Sequence, residues 1–274
     1  MQNPAFRNEA FHSGDQNAGA TMTAAQLQEL YNEPSAVRTA PDSMSVQDTL
    51  LKSALTFVIL ITGAVIGWIT VANAMQNGQQ GLAIGIMVGA GIVGFVLALV
   101  NIFKREPSPA LILLYAGAQG ILLGGLSMFY EAMEPGIVLQ AVLATFVVVG
   151  VTLALFASGK IRASKRATKV FLIAIVGYLV FSVINAILMF TGASDDPWGL
   201  RGSVLIFGIP LGVILGLFAV LLGAYSLVLD FDFIQRGVKS GAPRKYGWTG
   251  AFGIMVTVIW LYLEILRLLA IVRR

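Results

Sequence analysis

The stretch GLAIGIMVGAGIVGFVLALVNIF, residues 81–103, decides the fold. It carries no charged residue, and its apolar positions do not alternate with polar ones. A helix rises ~1.5 Å per residue, so a block of this length crosses the ~30 Å hydrocarbon core of a bilayer. A barrel strand would alternate apolar and polar residues over roughly ten positions, and this block does not. It reads as a transmembrane helix.

Working outward, similar blocks recur at about residues 51–74, 109–130, 136–157, 169–190, 202–229 and 249–272. Hydrophobic residues make up 57% of the 274-residue chain and charged residues 12%, about half the charged share of a soluble domain. The expected fold class is therefore an all-α polytopic membrane protein with about seven transmembrane helices, over residues 45–274. Residues 1–44 are polar and rich in Gln, Asn, Ala and Ser, too poor in apolar side chains to bury a core. They read as a mostly disordered tail, in which Thr23 and Gln26 form a capping box before AAQLQELY. No basic stretch leading into an apolar one opens the chain, so a cleaved signal peptide is not expected. Ser45 and Asp48 mark a further helix start, at the first span.

The connections carry the orientation. Lys104 and Arg105 follow the second block. Lys160, Arg162, Lys165, Arg166 and Lys169 join the fourth to the fifth, and Arg236, Lys239, Arg244 and Lys245 join the sixth to the seventh. The alternate connections hold Glu131 and Glu134, then Asp195, Asp196 and Arg201. Lys and Arg concentrate on the cytoplasmic side, which places the N-terminus inside and the C-terminus outside, with Arg273 and Arg274 against the trend. The net charge of +4 is explained by these basic loops, and nucleic acid is not implied as a partner.

Small residues recur four apart at Gly63/Gly67, Gly85/Gly89, Gly120/Gly124 and Gly208/Gly212/Gly216, ridges that let helix backbones approach in lipid. Gly89, Gly91 and Gly94 spell GxGxxG, but inside a span they lack the strand–turn–helix context of a nucleotide site. Pro210 is expected to kink the sixth span, since proline removes a helical hydrogen bond. Gln119 and Asn185 read as hydrogen-bonding contacts between helices, or as pathway lining.

Catalytic constellations are missing from the sequence. The single histidine, His12, lies in the tail, and neither HExxH nor GxxxxGK[ST] occurs. With no cysteine there is no disulfide or thiolate chemistry. An enzyme is not expected, nor is an organic cofactor. Ionisable residues near the spans are the functional candidates, because a charge in hydrocarbon needs a wet cavity or a partner. They are Asp230 and Asp232, in LVLDFDFIQRG, and Glu264 with Arg267, in the last span. Two residues apart on a helix point to nearly opposite sides, so one of the two aspartates faces the interior. The plainer readings pair an aspartate with Arg236 and Glu264 with Arg267, three residues on.

Three stretches in order resemble the Bax inhibitor-1 family, the transmembrane Bax-inhibitor-motif proteins, in particular their bacterial YccA-like branch. PALILLYAGAQGILLGGLS from Pro109 is similar to the family's third span, LVLDFDFIQRG to the end of its sixth, and LYLEILRLLA from Leu261 to its last. The resemblance covers about residues 45–272. It implies a Bax inhibitor-1-like bundle that acts as a pH-sensitive calcium (cation) leak channel in the bacterial plasma membrane. In that family two aspartates, one in each of the last two spans, close the pore by sharing a proton. Two carboxylates held close cannot both ionise cheaply, so such a pair titrates as a unit. Once ionised it offers oxygen ligands to a hard cation.

Carried over, the sixth-span acid is Asp230 or Asp232. The seventh-span acid is Glu264 in one alignment, whereas matching Arg267 puts Thr257 at that position. Asp230, Asp232 and Glu264 are thus the expected pH sensor, ion pathway and calcium ligands, with Arg236 and Arg267 as charge partners. Calcium or protons would be the permeant or bound ions. The alternative is a regulatory protein that transports nothing and binds membrane-protein partners, such as proteases, through its tail and basic loops.

Overall fold

The computed structural model describes residues 42–193 and 196–273. The tail helix expected after Thr23 lies outside the described residues.

Seven helices are long and apolar enough to cross a membrane. They are α1 (Val46–Gln76), α2 (Gln80–Phe103), α3 (Pro109–Met133), α4 (Ile137–Ala157), α5 (Lys165–Phe190), α6 (Leu211–Lys239) and α7 (Gly247–Val272). Local chemistry sets their starts. The Ser45 side chain accepts from the Asp48 N–H at 3.1 Å, and Ser164 accepts from the Ala167 N–H at 3.2 Å, each satisfying a donor that the first helical turn leaves free. Pro109 occupies the first turn of α3, where a missing N–H removes no helical bond. Glu131 accepts from the N–H groups of Gly136 and Val138, placing a carboxylate at the positive end of α4.

Helix α7 is the axis of the bundle. It packs against α1, α3, α4 and α6, and 61% of its apolar window is buried, against 11% for α2 at the periphery. The tightest helix pair is α1 with α3. A Cβ on Gly67 would run into the Ile121 carbonyl, and one on Gly124 into the Ala64 carbonyl, so these two glycine ridges do bring backbones together. Gly85 and Gly89 have nothing near them. Gly94 lies under the Gln119 amide, which is a packing contact between α2 and α3.

The sixth apolar block differs from its expected form. Leu200–Ser203 make one helical turn, Leu205–Ile206 (β1) pair with Ile209–Pro210 (β2) as a hairpin, and α6 begins only at Leu211. Pro210 therefore does not kink a span. It stands just before the helix, where its fixed φ of −56° and its lack of an N–H disturb nothing. Gly208 lies in the hairpin turn and leaves the ridge to Gly212 and Gly216, which meet Ile271 and Leu268 of α7. At its other end α6 continues past both aspartates to Lys239.

Contacts between connections show which helix ends lie together. Arg244 pairs with Asp48 at 2.7 Å and Lys245 with Glu106 at 2.7 Å, so the α2–α3 and α6–α7 connections and the start of α1 share one end. Arg273 donates to the Pro135 carbonyl at 3.2 Å, which brings the end of α7 to the α3–α4 connection. Residues 42–44 are clasped to the α6–α7 turn. The Met44 N–H donates to Ala242 O at 2.7 Å, Arg244 N–H donates to Asp42 O at 2.8 Å, and Ser43 bridges Pro243. Met44 is 2% exposed and sits in a cluster with Phe231 and Ile234.

Candidate functional site

Helices α6 and α7 are joined by a short turn and run antiparallel, so residues equidistant from the turn face each other. Asp230 lies nine residues before the end of α6 and Thr257 ten residues after the start of α7, depths of ~14 and ~15 Å. They meet. The Thr257 hydroxyl donates to Asp230 Oδ2 at 2.7 Å and lies 3.2 Å from the Ser226 hydroxyl. Gly253, one turn earlier on α7, makes room for the carboxylate, since a Cβ there would stand 2.8 Å from Asp230 Oδ1. Asp230 is partly buried and, among the described residues, has no ion-pair partner. The Thr257 hydroxyl and Gly253 face it, and the Ser226 hydroxyl stands behind Thr257.

Asp232 points elsewhere. It pairs with Arg236, one turn on, at 2.8 Å, and that arginine is largely exposed. The α-helical period separates the two acids in this way.

Glu264 lies seven residues beyond Thr257, or ~10 Å further along α7, and does not reach Asp230. It is 4% exposed and sits between two guanidinium groups. Arg267 Nη1 donates to Oε1 at 2.7 Å, and Arg201 Nη1 stands 3.6 Å from Oε2. Arg201 is the residue that sequence reasoning missed. Assigned there to a polar loop, it is 4% exposed in the one-turn helix before the hairpin. Its Nη2 donates to the hydroxyls of Tyr178 (3.0 Å) and Ser182 (2.9 Å), and the guanidinium lies 5.2 Å from the Tyr178 ring centre. The signal available was its setting, a single charge in the apolar run WGLRGSVL. Asn185 fixes the same segment, accepting from Leu200 N–H at 2.7 Å and donating to Trp198 O at 3.2 Å. It thus ties α5 to the connection that follows it, in place of the expected bond to another span.

The three acids therefore lie in three settings. Asp230 is among hydroxyls, Asp232 is with Arg236, and Glu264 is with two arginines. No group of three or more His, Cys, Asp or Glu side chains gathers where it would hold a metal ion, among the described residues. A calcium site built jointly from Asp230, Asp232 and Glu264 does not fit this arrangement. Around Asp230 the carboxylate lies with the hydroxyl oxygens of Thr257 and, behind it, Ser226.

A family model described as Bax inhibitor 1 like matches residues 3–274. The chain belongs to that family. Comparison with curated proteins gives no match. Membership and the seven apolar helices together make this an integral membrane protein. In this family member the position facing Asp230 on α7 is a threonine.

Proposed function

We propose that this protein is a pH-sensitive cation leak of the Bax inhibitor-1 type, passing calcium, in which Asp230 is the one titrating member of the latch between α6 and α7. The reading is non-enzymatic. The observation that carries it is the 2.7 Å bond from Thr257 to Asp230, which joins the last two spans through a carboxyl with no neutralising cation beside it among the described residues. With the carboxyl protonated, the Asp230–Thr257–Ser226 cluster is uncharged and the helices stay together. With it ionised, the cluster offers a carboxylate and two hydroxyl oxygens to a hard cation. One carboxylate makes a weak site, which suits passage better than retention. Because the second position is a threonine, a single proton governs the response, without the coupling of a carboxylate pair.

The basic end, which carries the α2–α3, α4–α5 and α6–α7 connections, faces the cytoplasm of a bacterial plasma membrane in this reading, as the charge of the connections favours. The test is calcium flux into dye-loaded proteoliposomes containing only this protein, followed from about pH 5 to about pH 8. Flux should rise with pH in the natural protein and lose that dependence in Asp230→Asn, which keeps the shape but cannot ionise. Absence of flux at every pH would replace the leak with the regulatory reading.

A further inference from the structure

The hairpin before α6 is the one part of this chain, among the described residues, where an aromatic side chain is held against its backbone preference. Phe207 has φ +53° and Gly208 φ +79°, the pattern of a two-residue type I′ turn. Asn, Asp or Gly suit the first of these positions, whereas a bulky residue there is a conformational outlier. Phe207 is the only non-glycine residue with positive φ among the described ones. Its ring is 101% exposed and so packs on nothing in the protein, while Leu205 and Ile209 beside it are 62% and 47% exposed. From Val204 to Pro210 no side chain is polar.

We propose that the hairpin Val204–Pro210 is a lipid-embedded anchor, with the Phe207 ring inserted at the headgroup–acyl boundary of the outer leaflet. Three observations select lipid over a protein partner. First, a protein interface carries a polar rim, and from Val204 to Pro210 the hairpin offers no polar side chain toward one. Second, its backbone is largely self-satisfied, as burial at a membrane surface requires. Leu205 pairs with Pro210 and Ile206 with Ile209, the Leu211 N–H donates to Val204 O at 2.8 Å, and Pro210 has no N–H to leave free. Third, its depth is set by α6. The apolar run Leu211–Leu229 spans ~28 Å and so fills the hydrocarbon core by itself, which leaves the hairpin at its edge. Aromatic residues gather at that same end of the bundle, with Trp198 stacked on Tyr130 and the exposed Phe190 closing α5. Tryptophan and tyrosine favour this level of a bilayer.

The absence of cysteine makes the test direct. The full chain carrying Phe207→Cys is spin-labelled in nanodiscs, with Leu217→Cys on the lipid face of α6 and Ser158→Cys at a helix end as references. Collisions with oxygen and with a water-soluble nickel chelate report depth. The label at 207 should be severalfold less accessible to the chelate than that at 158, yet shallower than that at 217. Accessibility equal to that at 158 would overturn the anchor. Strong dipolar broadening between labels would also overturn it, in favour of a second copy of this chain. Phe207→Asn tests the ring itself, because asparagine tolerates the left-handed backbone and leaves the hairpin intact. In that background a label at Leu205→Cys should become severalfold more accessible to the chelate, and an unchanged value would overturn the role given to Phe207. None of these measurements depends on ion flux.

Discussion

Thr257 on α7 donates a 2.7 Å hydrogen bond to Asp230 on α6, and Thr257 is the position that one of the two alignments to the family gives to its second acid. The single-carboxylate latch makes a definite prediction about the missing partner. Thr257→Asp would set two carboxyls within hydrogen-bond reach, and such a pair cannot ionise fully at low cost. The onset of calcium leak should move to higher pH, because the last proton of the pair is held more tightly. Asp232→Asn should leave the profile in place, since Asp232 faces Arg236 at the exposed side of α6. Proteoliposome flux across about pH 5–8 checks both, and a flat response in Thr257→Asp would show that Asp230 does not govern the leak.

The cluster of Arg201, Glu264 and Arg267 should act on stability before it acts on flux. Glu264→Gln leaves the buried guanidinium of Arg201 and the part-buried one of Arg267 without their shared counter-charge. Removing one partner of a buried ion pair costs about 3–5 kcal/mol. Arg201→Met in the Glu264→Gln background should recover part of this by removing one orphaned charge. Thermal unfolding in detergent measures both. Equal stability of Glu264→Gln and the natural protein would mean that the charges are solvated in the membrane.

The glycine ridges separate into two kinds. Gly67→Ala and Gly124→Ala should each destabilise by about 1–3 kcal/mol, because the added Cβ meets a backbone carbonyl that cannot move aside. Gly85→Ala and Gly89→Ala meet open space, and alanine favours helix over glycine by roughly 0.5–1 kcal/mol. Those two should be neutral or mildly stabilising in the same unfolding measurement.

Orientation is checked by single cysteines and an impermeant thiol reagent on intact cells. A cysteine at Gly192, in the connection after α5, should label from outside, and one at Lys165, at the start of α5, should not. The reverse pattern would invert the protein and move Asp230 from near the cytoplasmic boundary to the opposite side.

Much of this was legible in the sequence for simple reasons. Apolar length identifies spans, and the helical period predicts that Asp230 and Asp232 diverge and that Glu264 can reach Arg267. Hydropathy does not separate an apolar hairpin from a helix, which is why residues 204–210 merged into the sixth block and Pro210 was expected within it. The turn signal was nonetheless present, as Gly208 and Pro210 in FGIP. Arg201 was hidden for a different reason. Glu264 and Arg267 already balance in sequence, so nothing there called for a second arginine, and only the packing of the Trp198–Ser203 segment onto α5 and α6 brings it in. The partner of Asp230 turned on where α6 ends, because each residue added to that helix shifts the facing position on α7.

The clasp of Asp42–Met44 onto the α6–α7 turn fixes an order of events during synthesis. Roughly 200 residues separate Met44 from Ala242, and a contact of that sequence separation forms only after the intervening chain has been made. Helix α1, made before α7, must therefore wait in the bilayer with Thr49 uncovered until Gly247 and Gly250 of α7 arrive to pack on it. Chains truncated before α7 should be recognised by cellular quality control as unfinished, however many of their spans have already inserted.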